Sequence, residues 1–481
     1  MFLYPSTIIP HRQPQTVWQK FKALPNIFVV TTLAPAIGIG AGIGAIAITW
    51  IVGILHKVLF EDKLWGLLEF FGPFYLIIIP AMGGLAVGFI ILHFAYKTKG
   101  RSVPEALKAV AIHDEDIPPQ SLAVKSLTSA LCVGTGGSVG LGGPTGQLGA
   151  AFGAAVGQML TLSKGQTRLL FTCGIGAGVA AAFHAPIMGT IFAIEVILGR
   201  FTISSFSAVI ISAMTADGMT RLYTGGNFLV LEQYTMVSYW ELLLYAVLGV
   251  VVAIGAKGFT TTMSSMKTFW KMMPVSDYVK PMLGGIVLGL VGLITFQVDG
   301  IPRIFGLGSS SLSEALNGSL ALNVIFTLFL LKMFTASLTL GSGGVGGTFT
   351  PSFFMGATLG GAFGYFASML FPTITSPSAA YAMAGMAAFV GGTFNAPLTA
   401  LLVGFEIIGH YQIIWPIMLT VLVSTFVSKI IAPQYRAGIY SRLMNGKRTY
   451  IWLQLLRFPK STIKGEISFI LQQIRFRGSY F

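Results

Sequence analysis

A chain of 481 residues in which 54% of the side chains are hydrophobic and only 10% are charged is too apolar for a soluble domain, and its mean hydropathy is +0.77. This composition indicates a protein with several membrane-spanning segments. The net charge of +14 does not indicate a nucleic-acid partner, because the basic residues lie at the chain ends and between the apolar segments rather than in one soluble basic domain.

The two chain ends carry the charges that predict the topology. Residues 1–26 contain Arg12, Lys20 and Lys22 and no carboxylate, whereas residues 434–481 contain nine Lys or Arg residues and the single carboxylate of Glu466. Basic residues beside membrane spans remain preferentially in the cytoplasm. We therefore expect a cytoplasmic basic segment over 1–26, a cytoplasmic basic amphipathic tail over 446–481, and a location in the cell inner or plasma membrane.

The apolar segments predict an all-α, multi-pass membrane protein with tilted and broken helices. Many of these segments are longer or shorter than the ~20 residues that cross a bilayer upright. In chain order, the predicted segments are 27–55, 74–96, 121–163, 168–199, 201–222, 240–269, 280–296, 305–316, 321–340, 348–371, 379–392, 397–408, 413–431 and 437–444.

The two cysteines do not change this interpretation. Cys132 and Cys173 both lie in apolar segments, and two cysteines are too few for a disulfide framework or a metal site. No metal and no cofactor is expected.

A glycine-rich stretch, Gly134 to Gly157, occurs twice in the chain. It contains ten glycines and one proline, and a close copy follows 207 residues later, so that Gly140 corresponds to Gly347 and Pro144 to Pro351. Glycine and proline at matched places in two halves of an apolar chain indicate broken membrane helices whose ends line a polar cavity. The later glycines of each copy have the spacing of close helix packing. The turn before each proline predicts a helix start whose free N–H groups attract anions.

A second repeated pattern lies further along each half. Phe183, Ala185 and Pro186 precede Glu195 just as Phe394, Ala396 and Pro397 precede Glu406, at an offset of 211 residues. The two patterns predict a first membrane repeat over 27–222 and a second over 223–445. Glu195 and Glu406 are functional candidates because they are ionisable at membrane depth. Their matched positions at helix ends favour pairing with the backbone or reaching the interface. His184 could titrate near neutral pH, although a hydrogen-bonded packing role is favoured.

Four motifs resemble those of the CLC family of chloride channels and chloride/proton exchangers, in the family's order. They are Gly100-Arg101-Ser102-Val103-Pro104, Gly140-Leu141-Gly142-Gly143-Pro144, Gly347-Thr348-Phe349-Thr350-Pro351 and the tyrosine of Gly438-Ile439-Tyr440-Ser441. The resemblance implies an inverted-repeat CLC-like fold, a homodimer in the lipid bilayer, and chloride and similar anions as partners.

The resemblance also implies a set of site residues. Gly142 takes the place of the family's gating glutamate, and Val196 takes the place of an inner glutamate that exchangers use as a proton station. A glutamate at residue 142 would project toward the N–H groups near Gly143 and Phe349. Whether Arg101 or Ser102 faces the anion is open, because Ser102 fits the motif only after a shift of one residue. The implied anion-binding residues are Arg101, Ser102, Gly142, Gly143, Thr348, Phe349 and Tyr440.

Three functions compete at this stage. Because glycine and valine cannot carry protons, the leading expectation is passive, proton-uncoupled chloride conduction by a CLC-type channel or uniporter. The alternative is a chloride/proton exchanger with a non-standard route through His184, Glu195 or bound water. An intramembrane enzyme is the third, and no metal-binding or nucleophile motif supports it.

Overall fold

The computed structural model describes residues 26–62, 66–95, 118–199, 201–225, 236–409 and 411–431. Within these ranges the chain is almost entirely helical, and the β-structure is limited to one isolated antiparallel bridge between Gly140 and Gly347. The predicted elements at 1–25, 96–117 and 432–481 lie outside the described residues, and so do Arg101, Ser102 and Tyr440.

The described first half contains seven helices. Three shorter segments adjoin them. A π-helical turn at Lys57–Glu61 extends the first helix, and a 3₁₀ segment at Leu67–Phe74 precedes the second. A π-helical segment at Ala193–Leu198 continues the sixth. The helices are α1 Asn26–His56, α2 Tyr75–Phe94, α3 Pro119–Gly134, α4 Gly142–Met159, α5 Lys164–Phe183, α6 Pro186–Phe192 and α7 Ile203–Thr224.

The described second half contains eight helices and follows the same order around its breaks. A π-helical segment, Val403–Ile408, continues the short helix that starts at Pro397, as in the first half. The helices are α8 Glu241–Met272, α9 Lys280–Asp299, α10 Ser309–Leu316, α11 Leu322–Ser342, α12 Phe349–Leu370, α13 Ser378–Phe394, α14 Pro397–Leu402 and α15 Ile414–Ile431.

The predicted helix order and helix breaks are confirmed in the described ranges. The segment predicted at 121–163 divides into α3 and α4 at the glycine stretch, and the segment predicted at 168–199 divides at Pro186. Among the described residues, seven helices are long and apolar enough to cross a membrane. Others, such as α6 and α14, are too short to cross a membrane by themselves.

Local signals account for several helix ends. Ser163 and Gln166 form a capping box at the start of α5, in which the Ser163 hydroxyl accepts from the Gln166 N–H and the Gln166 side chain accepts from the Ser163 N–H. Pro186 and Pro397 begin α6 and α14, where proline's missing N–H costs nothing. The preceding residues therefore end the helices before them.

The described residues up to Ser428 belong to one compact unit, which contains the breaks of both halves. The residues from Lys429 onward form a second unit, of which the structure describes 429–431, the last residues of α15. The boundary between the two repeats at residues 222 and 223 stays a prediction.

Glycines allow the long helices to pack with their backbones almost in contact. A methyl group built on Gly149 would lie 2.1 Å from the carbonyl oxygen of Gly174, where α4 crosses α5. The second repeat has the same crossing between α12 and α13, where a methyl group on Gly356 would lie 2.4 Å from the carbonyl oxygen of Gly385. The packing role predicted for the later glycines of each stretch is therefore present in both halves.

We expect Gly149→Ala and Gly356→Ala each to destabilise the protein by about 1–3 kcal/mol, because a backbone oxygen cannot rotate away from the added methyl group. The melting temperature of the purified protein in detergent measures this effect. Gly218→Ala in α7 is the matched control, since a methyl group there has nothing within 4 Å. If Gly149→Ala and Gly356→Ala melt at the same temperature as this control, the close approach of α4 to α5 and of α12 to α13 is wrong.

Candidate functional site

The starts of α4 and α12 are joined by a reciprocal pair of backbone hydrogen bonds. The N–H of Gly140 donates to the carbonyl of Gly347, and the N–H of Gly347 donates to the carbonyl of Gly140, both at 2.8 Å. This pairing places the first turn of α4 beside the first turn of α12. Neither Leu141 nor Thr348, the residues that precede these turns, provides a side-chain cap. Two helix N-termini with uncapped N–H groups therefore meet between the repeats.

A small cavity of about 20 Å³ lies where these helices begin, enough for one water molecule or a particle of similar size. Both repeats contribute to its wall, and none of the described residues that line it is charged. The lining residues are Gly142, Gly143, Gly146, Ile175, Val179, Phe192, Gly347, Thr348, Phe349 and Phe394.

Phenylalanine rings close the cavity on several sides. The rings of Phe349 and Phe394 stack with their centroids 4.7 Å apart, and Phe192 meets Phe349 edge-on at 5.0 Å. Phe183 packs against Phe349 at 5.6 Å and against Phe353 at 5.2 Å. Because the edge of an aromatic ring is slightly positive, such a wall can exclude water without repelling an anion.

The structure brings together four of the seven residues that the sequence assigned to an anion site. Gly142, Gly143, Thr348 and Phe349 all line the cavity. Arg101, Ser102 and Tyr440 lie outside the described residues. Val196 is buried in the π-helical segment after α6, apart from the described lining of the cavity.

Phe183 was missed by the sequence analysis as a site residue, although it recurs as Phe394 in the second repeat. A methyl group built on Gly142 would lie 2.3 Å from Cε2 of the Phe183 ring, so the ring occupies the space of a side chain at residue 142. A glutamate at residue 142 therefore reaches the neighbouring N–H groups only if the Phe183 ring moves. The expected projection of a carboxylate into the site thus depends on a shift of this ring, and it stays a prediction.

Glu195 and Glu406 cap helices of the opposite repeat. The Glu195 carboxylate accepts hydrogen bonds from the N–H groups of Leu398 and Thr399 at 3.1 and 2.8 Å, and from the Thr399 hydroxyl at 2.7 Å. These groups belong to the first turn of α14.

The Glu406 carboxylate accepts from the N–H groups of Ile187 and Met188, at 2.8 and 2.5 Å, in the first turn of α6. The favoured pairing of both glutamates with the backbone is present, and it crosses between the repeats.

His184 ends α5 and is bonded to α7 through both nitrogens of its ring. Nδ1 lies 3.1 Å from Oδ1 of Asp217, and Nε2 lies 3.0 Å from the hydroxyl oxygen of Thr224. Arg221 donates to the His184 carbonyl at 2.8 Å and to Oδ2 of Asp217 at 2.7 Å. The predicted hydrogen-bonded role is present. We call His184, Asp217, Arg221 and Thr224 the His184 network.

Two repeats that meet at broken helices around a small cavity define a class of multi-pass membrane proteins that includes ion transporters and channels. Among the described residues, no group of three or more His, Cys, Asp or Glu residues could hold a metal ion. The chain belongs to the family described as voltage gated chloride channel, whose sequence profile matches residues 83–429.

Named relatives include both exchangers and channels. The chain is 30% identical over 369 residues to the H(+)/Cl(-) exchange transporter ClcA of Vibrio parahaemolyticus. This match covers 75% of this chain and 77% of that protein. It is 28% identical over 371 residues to the voltage-gated ClC-type chloride channel ClcB of Escherichia coli, covering 76% and 86%. A crystal structure of a slow cyanobacterial Cl⁻/H⁺ antiporter has the same fold, with a TM-score of 0.76 and 22% identity over 85% of this chain and 95% of that one.

Contact between Gly142 and Phe183 predicts a non-additive pair of substitutions. We expect Gly142→Ala to destabilise the protein by about 1–3 kcal/mol, and Gly142→Ala combined with Phe183→Leu to cost less than the sum of the single changes. A double-mutant cycle of melting temperatures measures the coupling. Gly146→Ala is the control because it lines the same cavity, but its nearest contact would be 3.3 Å, to the side chain of Val179. Strictly additive effects would show that the ring does not fill this space.

The crossed carboxylates predict matched losses of stability. Replacing Glu195 or Glu406 with glutamine removes a charged acceptor from two N–H groups, which costs about 1.5–3 kcal/mol in each variant. Thermal melting in detergent checks both. Glu61→Gln serves as the control because Glu61 is 62% exposed and faces His56 at 3.6 Å, an arrangement whose contribution is about 0–1 kcal/mol. A Glu195→Gln or Glu406→Gln variant as stable as this control would contradict the capping role.

Proposed function

We propose that this chain transports chloride and similar anions across the membrane through the cavity at the starts of α4 and α12. The observation that carries the proposal is the meeting of two uncapped helix N-termini at a cavity lined by both repeats. Partial positive charges of this kind stabilise an anion without the tight hold of a full charge. Family membership supports the same function, since members are transporters or channels rather than enzymes.

Exchange of chloride for protons has more support from the comparisons than passive conduction does. Several relatives at 30% identity are named H(+)/Cl(-) exchange transporters. The sequence-based preference for uncoupled conduction thus has weaker support than its alternative. We therefore propose exchange as the leading mechanism, with a proton route that does not use the glutamate positions of the family.

Uncoupled conduction is the second candidate because of two particular residues. Gly142 and Val196 stand where the resemblance places proton-carrying glutamates, and neither side chain can bind a proton. The described lining of the cavity also contains no ionisable side chain. If no other group moves protons, the same anion route acts as a channel or uniporter.

We also propose the other residues of the anion site, the oligomeric state and the membrane location. Arg101 or Ser102, together with Tyr440, would complete the anion site from the cytoplasmic side, with Thr348 and Phe349 already at the cavity. We further propose a homodimer in the cell inner or plasma membrane with both chain ends in the cytoplasm. Neither a cofactor nor a nucleic acid is required for this activity.

Purified protein in liposomes tests the proposal when the chloride gradient, pH gradient and membrane potential are set independently. For exchange we expect a chloride gradient to drive protons uphill, and the reversal potential to shift with pH at fixed chloride. Chloride flux with no proton movement would favour the second candidate. Absence of chloride flux above that of protein-free liposomes, at every potential and pH, would contradict anion transport itself.

A further inference from the structure

His184 lies between α7 and the cavity at the starts of α4 and α12. It has left-handed backbone angles, φ 53° and ψ 40°, and it follows Phe183 directly. The Phe183 ring fills the space beside Gly142 and packs on Phe349. On its other side, the imidazole and the carbonyl of His184 are bonded to three side chains of α7. A change at His184 is thus one residue away from a ring that packs on Phe349, a residue that lines the cavity.

The second repeat shows that the backbone turn at this position does not need a histidine. Asn395 occupies the equivalent position, at the end of α13, with φ 53° and ψ 39°. Asparagine adopts left-handed angles readily, so capping alone is satisfied without histidine. The first repeat instead carries a titratable ring beside a buried carboxylate. This difference points to a function for His184 beyond ending the helix.

Three charged groups lie around His184. On α7 they are Asp217, 9% exposed, and Arg221, 44% exposed, and Glu406 lies near enough to interact electrostatically with both. Residues 26–55 of α1, which packs on α7, carry no charged side chain, and neither does α6. The π-helical segment after α6 also packs on α5 and α7, and it carries Glu195, whose carboxylate is bonded to the start of α14. With both carboxylates ionised, Asp217, Glu406 and Arg221 together with His184 sum to −1 with a neutral imidazole and to zero with a protonated one.

We propose that His184 takes up and releases the proton that is exchanged for chloride. The inference rests on the proposed function of anion exchange and supplies the proton-binding group that residues 142 and 196 lack. Arg221 and Thr224 are the exposed members of the His184 network, and Nε2 of the imidazole lies beside the Thr224 hydroxyl.

The proton balance at the imidazole is simple. The Thr224 hydroxyl has two partners, the Thr220 carbonyl at 2.9 Å and His184 Nε2 at 3.0 Å, and its one proton can serve only one of them. In the neutral ring, Nδ1–H donates to Asp217 and the hydroxyl proton turns to the Nε2 lone pair. A hydronium ion transfers a proton to the Nε2 lone pair and leaves as water, while the hydroxyl donates to the Thr220 carbonyl and accepts from the new Nε2–H. No bond other than O–H and N–H changes. Release reverses the step.

Proton binding is expected to act on the cavity through Phe183. The neutral ring already donates to the ionised carboxylate of Asp217, and protonation adds the attraction between two opposite charges to that hydrogen bond. The backbone at residue 184 is thereby drawn toward α7, and the neighbouring Phe183 ring shifts relative to Gly142. Anion occupancy and proton occupancy would then be linked through adjacent residues of one chain segment.

His184→Asn tests this inference directly, because the second repeat shows that asparagine fits the same backbone. In liposomes with a chloride gradient, we expect the variant to conduct chloride while proton movement per chloride falls by about tenfold or more. The pH dependence of wild-type chloride flux between pH 5 and 8, the range in which unperturbed imidazole titrates, is expected to flatten as well. Proton movement equal to that of wild type in His184→Asn would overturn the inference.

Two further variants keep the test decisive. Asp217→Asn preserves the shape of the hydrogen-bond partner but removes its charge, and it is expected to lower proton coupling even if His184→Asn folds poorly. His93→Gln is the matched control, because His93 lies in α2, where its described hydrogen bond is to the Phe89 carbonyl, and it should leave coupling unchanged. Wild-type protein that moves chloride but no protons would overturn the role of His184 while leaving anion transport intact. A loss of coupling in His93→Gln equal to that in His184→Asn would also overturn it.

Discussion

Backbone hydrogen bonding is the constraint on which the structure depends. A helix that breaks inside a membrane exposes polar groups that lipid cannot satisfy, so each break must find partners within the protein. Here the two breaks satisfy one another through the paired bonds between Gly140 and Gly347. Side chains complete the arrangement, since the Ser129 hydroxyl donates to the Val345 carbonyl at 3.0 Å. The N–H groups that begin α4 and α12 remain directed to one place, and the cavity forms there.

The same crossing between repeats explains how two carboxylates are tolerated at membrane depth. Glu195 and Glu406 are both half-buried, and a carboxylate withdrawn from water is costly unless hydrogen-bond donors surround it. Glu195 and Glu406 each receive N–H groups from the first turn of a helix in the other repeat, where the helix dipole also favours negative charge. Each repeat therefore supplies N–H donors to a carboxylate of the other repeat. Reciprocal contacts of this kind are what a two-fold relation between repeats produces.

Sequence reasoning predicted the helix order and the breaks because glycine and proline act locally, and their recurrence at fixed offsets was visible without a structure. It also brought together Gly142, Gly143, Thr348 and Phe349, which lie at the breaks themselves. The position of the Phe183 ring was not predictable, since it depends on how α5 packs against α12, far along the chain. The bonds from His184 to α7 likewise depend on tertiary packing, and composition alone favoured no particular partner for it.

The residues at the cavity depart from the symmetry of the fold. At the offset of 207 residues, Gly142 corresponds to Phe349, whose ring stacks on Phe394. No ring exists at residue 142, and Phe183, the counterpart of Phe394, fills that space instead. A symmetric pair of helix ends would offer an anion the same surroundings from each repeat. The second repeat places a ring on the helix that begins at the site, whereas the first borrows one from the helix that ends there. The borrowed ring, Phe183, packs on Phe349 of the other repeat, and it is followed directly by the titratable His184.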